Sequence, residues 1–192
     1  MKSLKIISSI IISSVLLLST VIYAFAYSHT VGDVNSDGLI NITDVTVIQK
    51  YLTNMSDVNE NIADFNCDGK VNISDCTIIQ KYISGQFNMY NGYMYTTSQN
   101  GNGKIIGYNG FSTTVRIPSQ IQNTTITSIS DSAFMNNKKI ISVSIPNSIE
   151  SVGYYAFANC TSLEKVTIKN PKCHIDSSSF DGCTSLTYFI QG

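Results

Sequence analysis

Apolar and polar positions divide the chain into three stretches of different rhythm. From Ile6 to Tyr23 the residues are apolar apart from Ser and Thr, after Lys2 and Lys5 and before Ala24-Phe25-Ala26. A basic start, an apolar run and a small-x-small triplet predict a signal peptide over 1–26. An uncleaved anchor is the rival reading, because the run is nearly long enough to span a bilayer. The polar Tyr27-Ser28-His29-Thr30 that follows favours cleavage. Further on, Val45, Ile48 and Leu52 recur at helical spacing, as do Cys76, Ile79 and Ile83. Two short exiting helices are expected, starting at Asp44 and Asp75, with Asn54 and Gly85 as stops. In the last stretch, runs such as Val143-Ser144-Ile145 and Val166-Thr167-Ile168 alternate with period two, which predicts short strands.

That last stretch repeats itself every 23 residues. Ala133-Phe134, Ala156-Phe157 and Ser179-Phe180 form one column. Ile140, Leu163 and Leu186 form another, as do Asn137, Cys160 and Cys183. Ile129, Val152 and Ile175 match, and so do Val143, Val166 and Phe189. Several columns at one period predict a solenoid, in which each unit buries its apolar face only by stacking on the next.

Composition narrows the chemistry. Charged residues are 13% of the chain, the formal net charge is −1, and there are two His, three Glu and no Trp. No global field steers nucleic acid to such a protein. The shortage of His and Glu argues against most metallohydrolases and glycosidases, which need clustered His or paired carboxylates. The charge is unevenly spread: residues 28–88 carry eight acids and three lysines, whereas residues 104–192 carry seven basic and five acidic side chains. After signal cleavage no run of about 20 apolar residues remains, so no membrane insertion is expected. The five cysteines have no framework-like spacing and are expected to be reduced.

The acids of the middle stretch fall in a pattern. Asp33-Val34-Asn35-Ser36-Asp37-Gly38-Leu39-Ile40-Asn41-Ile42-Thr43-Asp44 aligns with Asp64-Phe65-Asn66-Cys67-Asp68-Gly69-Lys70-Val71-Asn72-Ile73-Ser74-Asp75. Both are 12-residue loops with oxygen side chains at positions 1, 3, 5, 9 and 12 and Gly at 6. Calcium takes about six to eight hard oxygens, and alternate residues of a tight loop supply them. The expected ligands are Asp33, Asn35, Asp37, the Leu39 carbonyl, Asn41 and Asp44 for one ion. Asp64, Asn66, Asp68, the Lys70 carbonyl, Asn72 and Asp75 would hold the second. Gly38 and Gly69 permit the sharp turn. Ile40 and Val71 are expected to pair in a short β-bridge. Position 12 is Asp where an ordinary EF-hand has Glu, and no helix is expected before either loop.

This arrangement strongly resembles the type I dockerin, a duplicated, helix-deficient EF-hand that docks cargo onto cohesin domains of cellulosome scaffoldins. The resemblance covers Gly32 to about Gly85. It implies calcium-dependent folding around two ions and binding of a scaffoldin cohesin. The contacts it implies are Ile42, Thr43, Gln49 and Lys50 in one half and Ile73, Ser74, Gln80 and Lys81 in the other. Ile42 and Ile73 depart from the small polar residue of the best-known pattern, so the partner class is expected to differ. Between Asp33–Leu52 and Asp64–Ile83, 12 of 20 positions are identical, which permits two binding orientations. Lys50 and Lys81 read equally well as plain solvated helix residues.

The repeat has a resemblance of its own. Ile145-Pro146-Asn147-Ser148-Ile149-Glu150-Ser151-Val152-Gly153-Tyr154-Tyr155-Ala156-Phe157-Ala158-Asn159-Cys160-Thr161-Ser162-Leu163 is similar to the BspA-like leucine-rich repeat, and Gly107-Tyr108-Asn109-Gly110 with Val115-Arg116-Ile117-Pro118 to its N-terminal cap. The resemblance implies adhesion or protein binding through the concave strand face, with no fixed catalytic role. Lys172, Ser179 and Gln191 break their columns in the last repeat, which fits a worn cap or a truncated array.

The expected fold is thus two modules: a small all-α duplicated F-hand dockerin over 27–86, a linker over 87–94, and a short β-rich (α/β) leucine-rich-repeat solenoid over 95–192. The expected function is a secreted, non-catalytic cellulosome-like component, extracellular or cell-surface associated, in support of polysaccharide breakdown. Its repeat would take a protein or plant-polymer ligand. The rivals are an accessory of a glycoside hydrolase system with a glycan-binding or hydrolytic role, and a calcium-dependent adhesin without a cohesin partner. Tyr90, Tyr93 and Tyr95 with Phe87 read either as a sugar-stacking platform or, more simply, as a cap strand. Cys173-His174 is no nucleophile–base pair, since neighbours in a strand point to opposite faces.

Overall fold

A computed structural model describes residues 30–192; the predicted signal peptide lies outside the described residues. Within them no helix is long and apolar enough to cross a membrane. The first unit contains α1 (Ile42–Leu52), α2 (Glu60–Ala63) and α3 (Ile73–Ile83). Helices α1 and α3 begin two residues earlier than their apolar spacing indicates, because loop position 9 acts as the N-cap. Asn41 accepts from Thr43 N at 2.8 Å and Asn72 from Ser74 N at 2.9 Å. Asp44 and Asp75 complete the capping boxes by accepting the cap residue's own N–H. The helices pack through Val45, Ile48, Cys76 and Ile79, each no more than 1% exposed.

Three expectations for this unit fail. Leu52 and Ile83 are exposed, at 39% and 43%, because the last turn of each helix overhangs the core. One turn of helix, α2, does enter the second loop, capped by Asn59. Ile40 and Val71 form no β-bridge. The adjacent Asn41 and Asn72 amides are given to the Asp44 and Asp75 carboxylates, and the two side chains pack into the apolar cluster instead.

The second unit is a solenoid with two parallel faces. A meander comes first, of β1 (Asn88–Tyr90), β2 (Tyr93–Thr97) and β3 (Asn102–Tyr108). It leads into β4 (Thr114–Arg116), β5 (Gln120–Ile121), β6 (Thr124–Ile129), β7 (Ser142–Ile145), β8 (Ser151–Val152), β9 (Lys165–Ile168), β10 (His174–Ile175) and β11 (Tyr188–Gln191). One sheet runs β1-β2-β3-β6-β8-β10 with β5 on β6, and the other runs β11-β9-β7-β4. The 23-residue columns are the register itself. Ile129 faces Val152, which faces Ile175, and Val143 faces Val166, which faces Phe189. Between the sheets the Phe column stacks, with ring centroids 4.6 Å apart for Phe134–Phe157 and 5.2 Å for Phe157–Phe180. Asn137 accepts from the Lys139 and Ile140 amides, and the Cys160 and Cys183 thiols donate to the Phe134 and Phe157 carbonyls. All five thiols are free.

The expected linker is ordered. Asn91 and Gly92 take positive φ, 48° and 80°, and turn the chain so that β1 pairs antiparallel with β2. That is the Asn-Gly hairpin signal, hidden in a stretch whose composition reads as linker. Phe87 and Met94, 6% and 4% exposed, are buried among Val31, Val45, Ile48, Phe65 and Ile79 of the first unit. The apolar core of the helices therefore continues into the cap of the repeat. Tyr93 and Tyr95 are buried as cap residues, with Tyr93 donating to the Arg116 carbonyl at 2.7 Å, so their rings offer sugar no platform.

Candidate metal centre

The two loops make the same hydrogen bonds from positions 1 and 12, at distances that agree to within 0.1 Å. At position 1, Asp33 accepts from the Asp37 and Gly38 amides at 3.0 Å each, and Asp64 from Asp68 and Gly69 at 3.1 and 2.9 Å. At position 12, Asp44 accepts from Val34 and Asn35 at 2.8 and 3.2 Å, and Asp75 from Phe65 and Asn66 at the same distances. Position 4 is left-handed in both loops, with Ser36 at φ 59° and Cys67 at 57°. Position 6 is left-handed too, with Gly38 at 87° and Gly69 at 86°. The space where a Cβ would sit at Gly69 is open, so the backbone angle alone makes glycine the favoured residue there.

The expected donors are all hard oxygens: carboxylates, the Asn35, Asn41, Asn66 and Asn72 amides, and the Leu39 and Lys70 carbonyls. That chemistry suits calcium and not zinc or copper. Among the described residues no three side chains of His, Cys, Asp or Glu converge closely enough to hold a metal. The position-1 and position-12 carboxylates accept hydrogen bonds from the loop's own amides.

Hydrogen bonding and burial shift several of the loop side chains from their ordinary acid–base values. The Asn35 side chain, and then the Leu39 N–H, hold the exposed Asp37 carboxyl below its ordinary value. Burial pushes Asp64 and Asp75 up, against hydrogen bonds led by the Gly69 and Asn72 amides respectively. Burial also pushes the Cys67 thiol up to about 12. The surroundings of positions 3 to 5 differ between the loops. Ser36, Asn35 and Asp37 face solvent, whereas Cys67 is 3% exposed and Asn66 and Asp68 are half-buried. A cleft of about 240 Å³ separates Asn66 and Asp68 from Ser132, Met135 and Asn136, and the Lys139 ammonium acts on both Asp64 and Cys67.

The expected cohesin contacts lie on the outer faces of α1 and α3. Ile42 and Ile73 are 57% and 61% exposed, and Thr43, Gln49, Lys50, Ser74, Gln80 and Lys81 are exposed as well. Leu52 and Ile83 add an exposed apolar residue at the far end of each helix, which reading the helix as a single buried stripe had missed. The halves differ on another face: Tyr51 donates to Glu60 at 2.7 Å, while Tyr82 packs on Phe87 at a centroid distance of 5.8 Å.

Similarity to known proteins follows the same division. Residues 31–84 match the dockerin type I domain, and residues 104–191 match the BspA type leucine rich repeat region in six copies. No curated protein matches the chain. A leucine rich cell surface protein from Faecalibacterium prausnitzii A2-165 is 30% identical over 54% of this chain and 30% of its own, with a TM-score of 0.49. A leucine rich repeat protein of T. pallidum is 24% identical over 54% of this chain and 50% of its own, with a TM-score of 0.50, and shows the fold of the second unit. A leucine-rich repeat protein from Bacteroides capillosus ATCC 29799 is 21% identical over 55% of this chain and 99% of its own, with a TM-score of 0.44. The chain thus spans no more than half the length of the first two. Dockerins bind calcium and cohesin, BspA-type repeats bind proteins, and both are typical of extracellular or cell-surface proteins. The chain joins a type I dockerin domain to a BspA-type leucine-rich repeat region.

Proposed function

We propose that the chain is a secreted, non-catalytic component of a cellulosome-like assembly. Two calcium ions fill the loops, one held by Asp33, Asn35, Asp37, Leu39, Asn41 and Asp44, the other by Asp64, Asn66, Asp68, Lys70, Asn72 and Asp75. The loaded dockerin binds a scaffoldin cohesin through Ile42, Thr43, Gln49 and Lys50, or through Ile73, Ser74, Gln80 and Lys81. The repeat offers the β4-β7-β9-β11 face to a protein or plant polymer, in support of polysaccharide breakdown. The observation that carries this reading is the congruence of the two halves where calcium alone does not demand it. The Gln-Lys pairs are exposed in both, and so are the position-10 isoleucines to nearly equal extent.

The test is binding of the full chain without its signal peptide to a panel of cohesins, in calcium and in EDTA. Tight binding to one class, lost in EDTA, is the expected result. Calcium-insensitive binding, or none to any cohesin, would overturn the scaffold role. Release of reducing sugar from plant fibre would overturn the non-catalytic one.

A further inference from the structure

The duplicated loops face different surroundings, and the difference lies along one seam. Position 4 is solvent-exposed Ser36 in the first loop and buried Cys67 in the second, although both have the same left-handed backbone. Positions 3 and 5 are exposed in the first loop and half-buried in the second, across a cleft from Ser132 and Asn136. Behind the second loop, Phe65 is fully buried in the cluster that also takes Phe87 and Met94 from the repeat's cap. Met94 fits closely there, since a Cβ on Gly107 would come within 2.9 Å of its sulfur. Both loops thus reach the shared apolar cluster, the first through Val34 and Ile40, but Asn66 and Asp68 of the second loop also line a cleft with the repeat, and no residue of the first loop lines that cleft.

We propose that the second loop does two jobs: its calcium also clamps the repeat region onto the dockerin. Calcium fixes the loop conformation that holds Phe65 and Cys67 against the repeat. By linkage, a seated repeat favours calcium in that loop and leaves the first loop indifferent. The ion in the first loop has no such role. The proposal rests on the reading that both loops bind calcium.

The test uses the full chain without its signal peptide, with Asp37→Ala to disable the first loop and Asp68→Ala to disable the second. Bound calcium is counted on each sample, and two readouts follow the seam in saturating calcium: amide exchange over 93–108 and 132–139, and alkylation of Cys67. Asp68→Ala is expected to speed both at least tenfold and Asp37→Ala to leave both within about twofold, with Cys160 protected throughout as a monitor of the repeat's fold. Equal effects of the two variants, or none from either, would overturn the clamp. A parent chain that binds two ions while the variants respond alike overturns the clamp alone, whereas a parent chain that binds none overturns the calcium assignment with it. Met94→Gln provides the reverse arm and leaves every metal donor intact. It should weaken one of two calcium affinities severalfold, and weakening of both or neither overturns the proposal.

Discussion

Three carboxyls of the loops depart from their ordinary acid–base character, Asp64 and Asp75 through burial and Asp37 through hydrogen bonds. Asp64 and Asp75 bind protons more tightly in the calcium-free fold than in an open chain. Their stabilising contribution is therefore complete below the ordinary carboxylate value of 3.8 and is lost as pH rises through the raised values. Asp37 runs the other way: its contribution holds above 3.8 and is lost as pH falls through the lowered value. Without calcium, Asp64 and Asp75 should therefore take up protons at a higher pH than Asp37. Following the Asp37, Asp64 and Asp75 carboxyl resonances through an acid titration in EDTA checks this, and simultaneous protonation would contradict it. The tight turns of both loops were legible in the sequence, since Gly at position 6 of each 12-residue pattern takes the left-handed backbone. The burial of Cys67 was not, because nothing in one loop tells which neighbour will cover it.

Among the elements, the Phe column concentrates the energetics of the solenoid. Phe157 has no solvent exposure and lies between two rings at 4.6 and 5.2 Å. Phe157→Ala should cost about 3–5 kcal/mol, from lost burial plus the cavity left behind. Phe189, 44% exposed at the end of the array, should cost about 1 kcal/mol when replaced by Ala. Urea unfolding followed by circular dichroism measures both, and equal costs would argue against a stacked core. The register of these elements was readable because a solenoid writes each contact into the chain once per coil. The β1–β2 hairpin was missed because Asn91-Gly92 lies among residues that also suit a flexible tether. Helices α1 and α3 were placed correctly by their apolar spacing. Their starts were misjudged because Asn41 and Asn72 serve both as loop residue and as cap.

For the whole molecule, the two outward faces of the dockerin remain equally open despite the attached repeat. If either face alone suffices, altering Gln49 and Lys50 to Ala should reduce cohesin affinity only about twofold, roughly 0.4 kcal/mol, the worth of one of two equivalent modes. Altering Gln80 and Lys81 as well should cost at least tenfold more, as read by calorimetry against a bound cohesin. A full loss from the first pair alone would leave one orientation. The mutual placement of the modules could not be read from the sequence, since Phe87, Met94 and Ile106 belong to no repeat column and no loop pattern. Their burial has a consequence for portability. Cut out as a tag and fused to foreign cargo, residues 31–84 would leave Phe87 and Met94 behind and turn Cys67 and Ile78 toward water. Such a graft should be less soluble than the parent, and this dockerin and this repeat are better regarded as an inherited pair than as interchangeable parts.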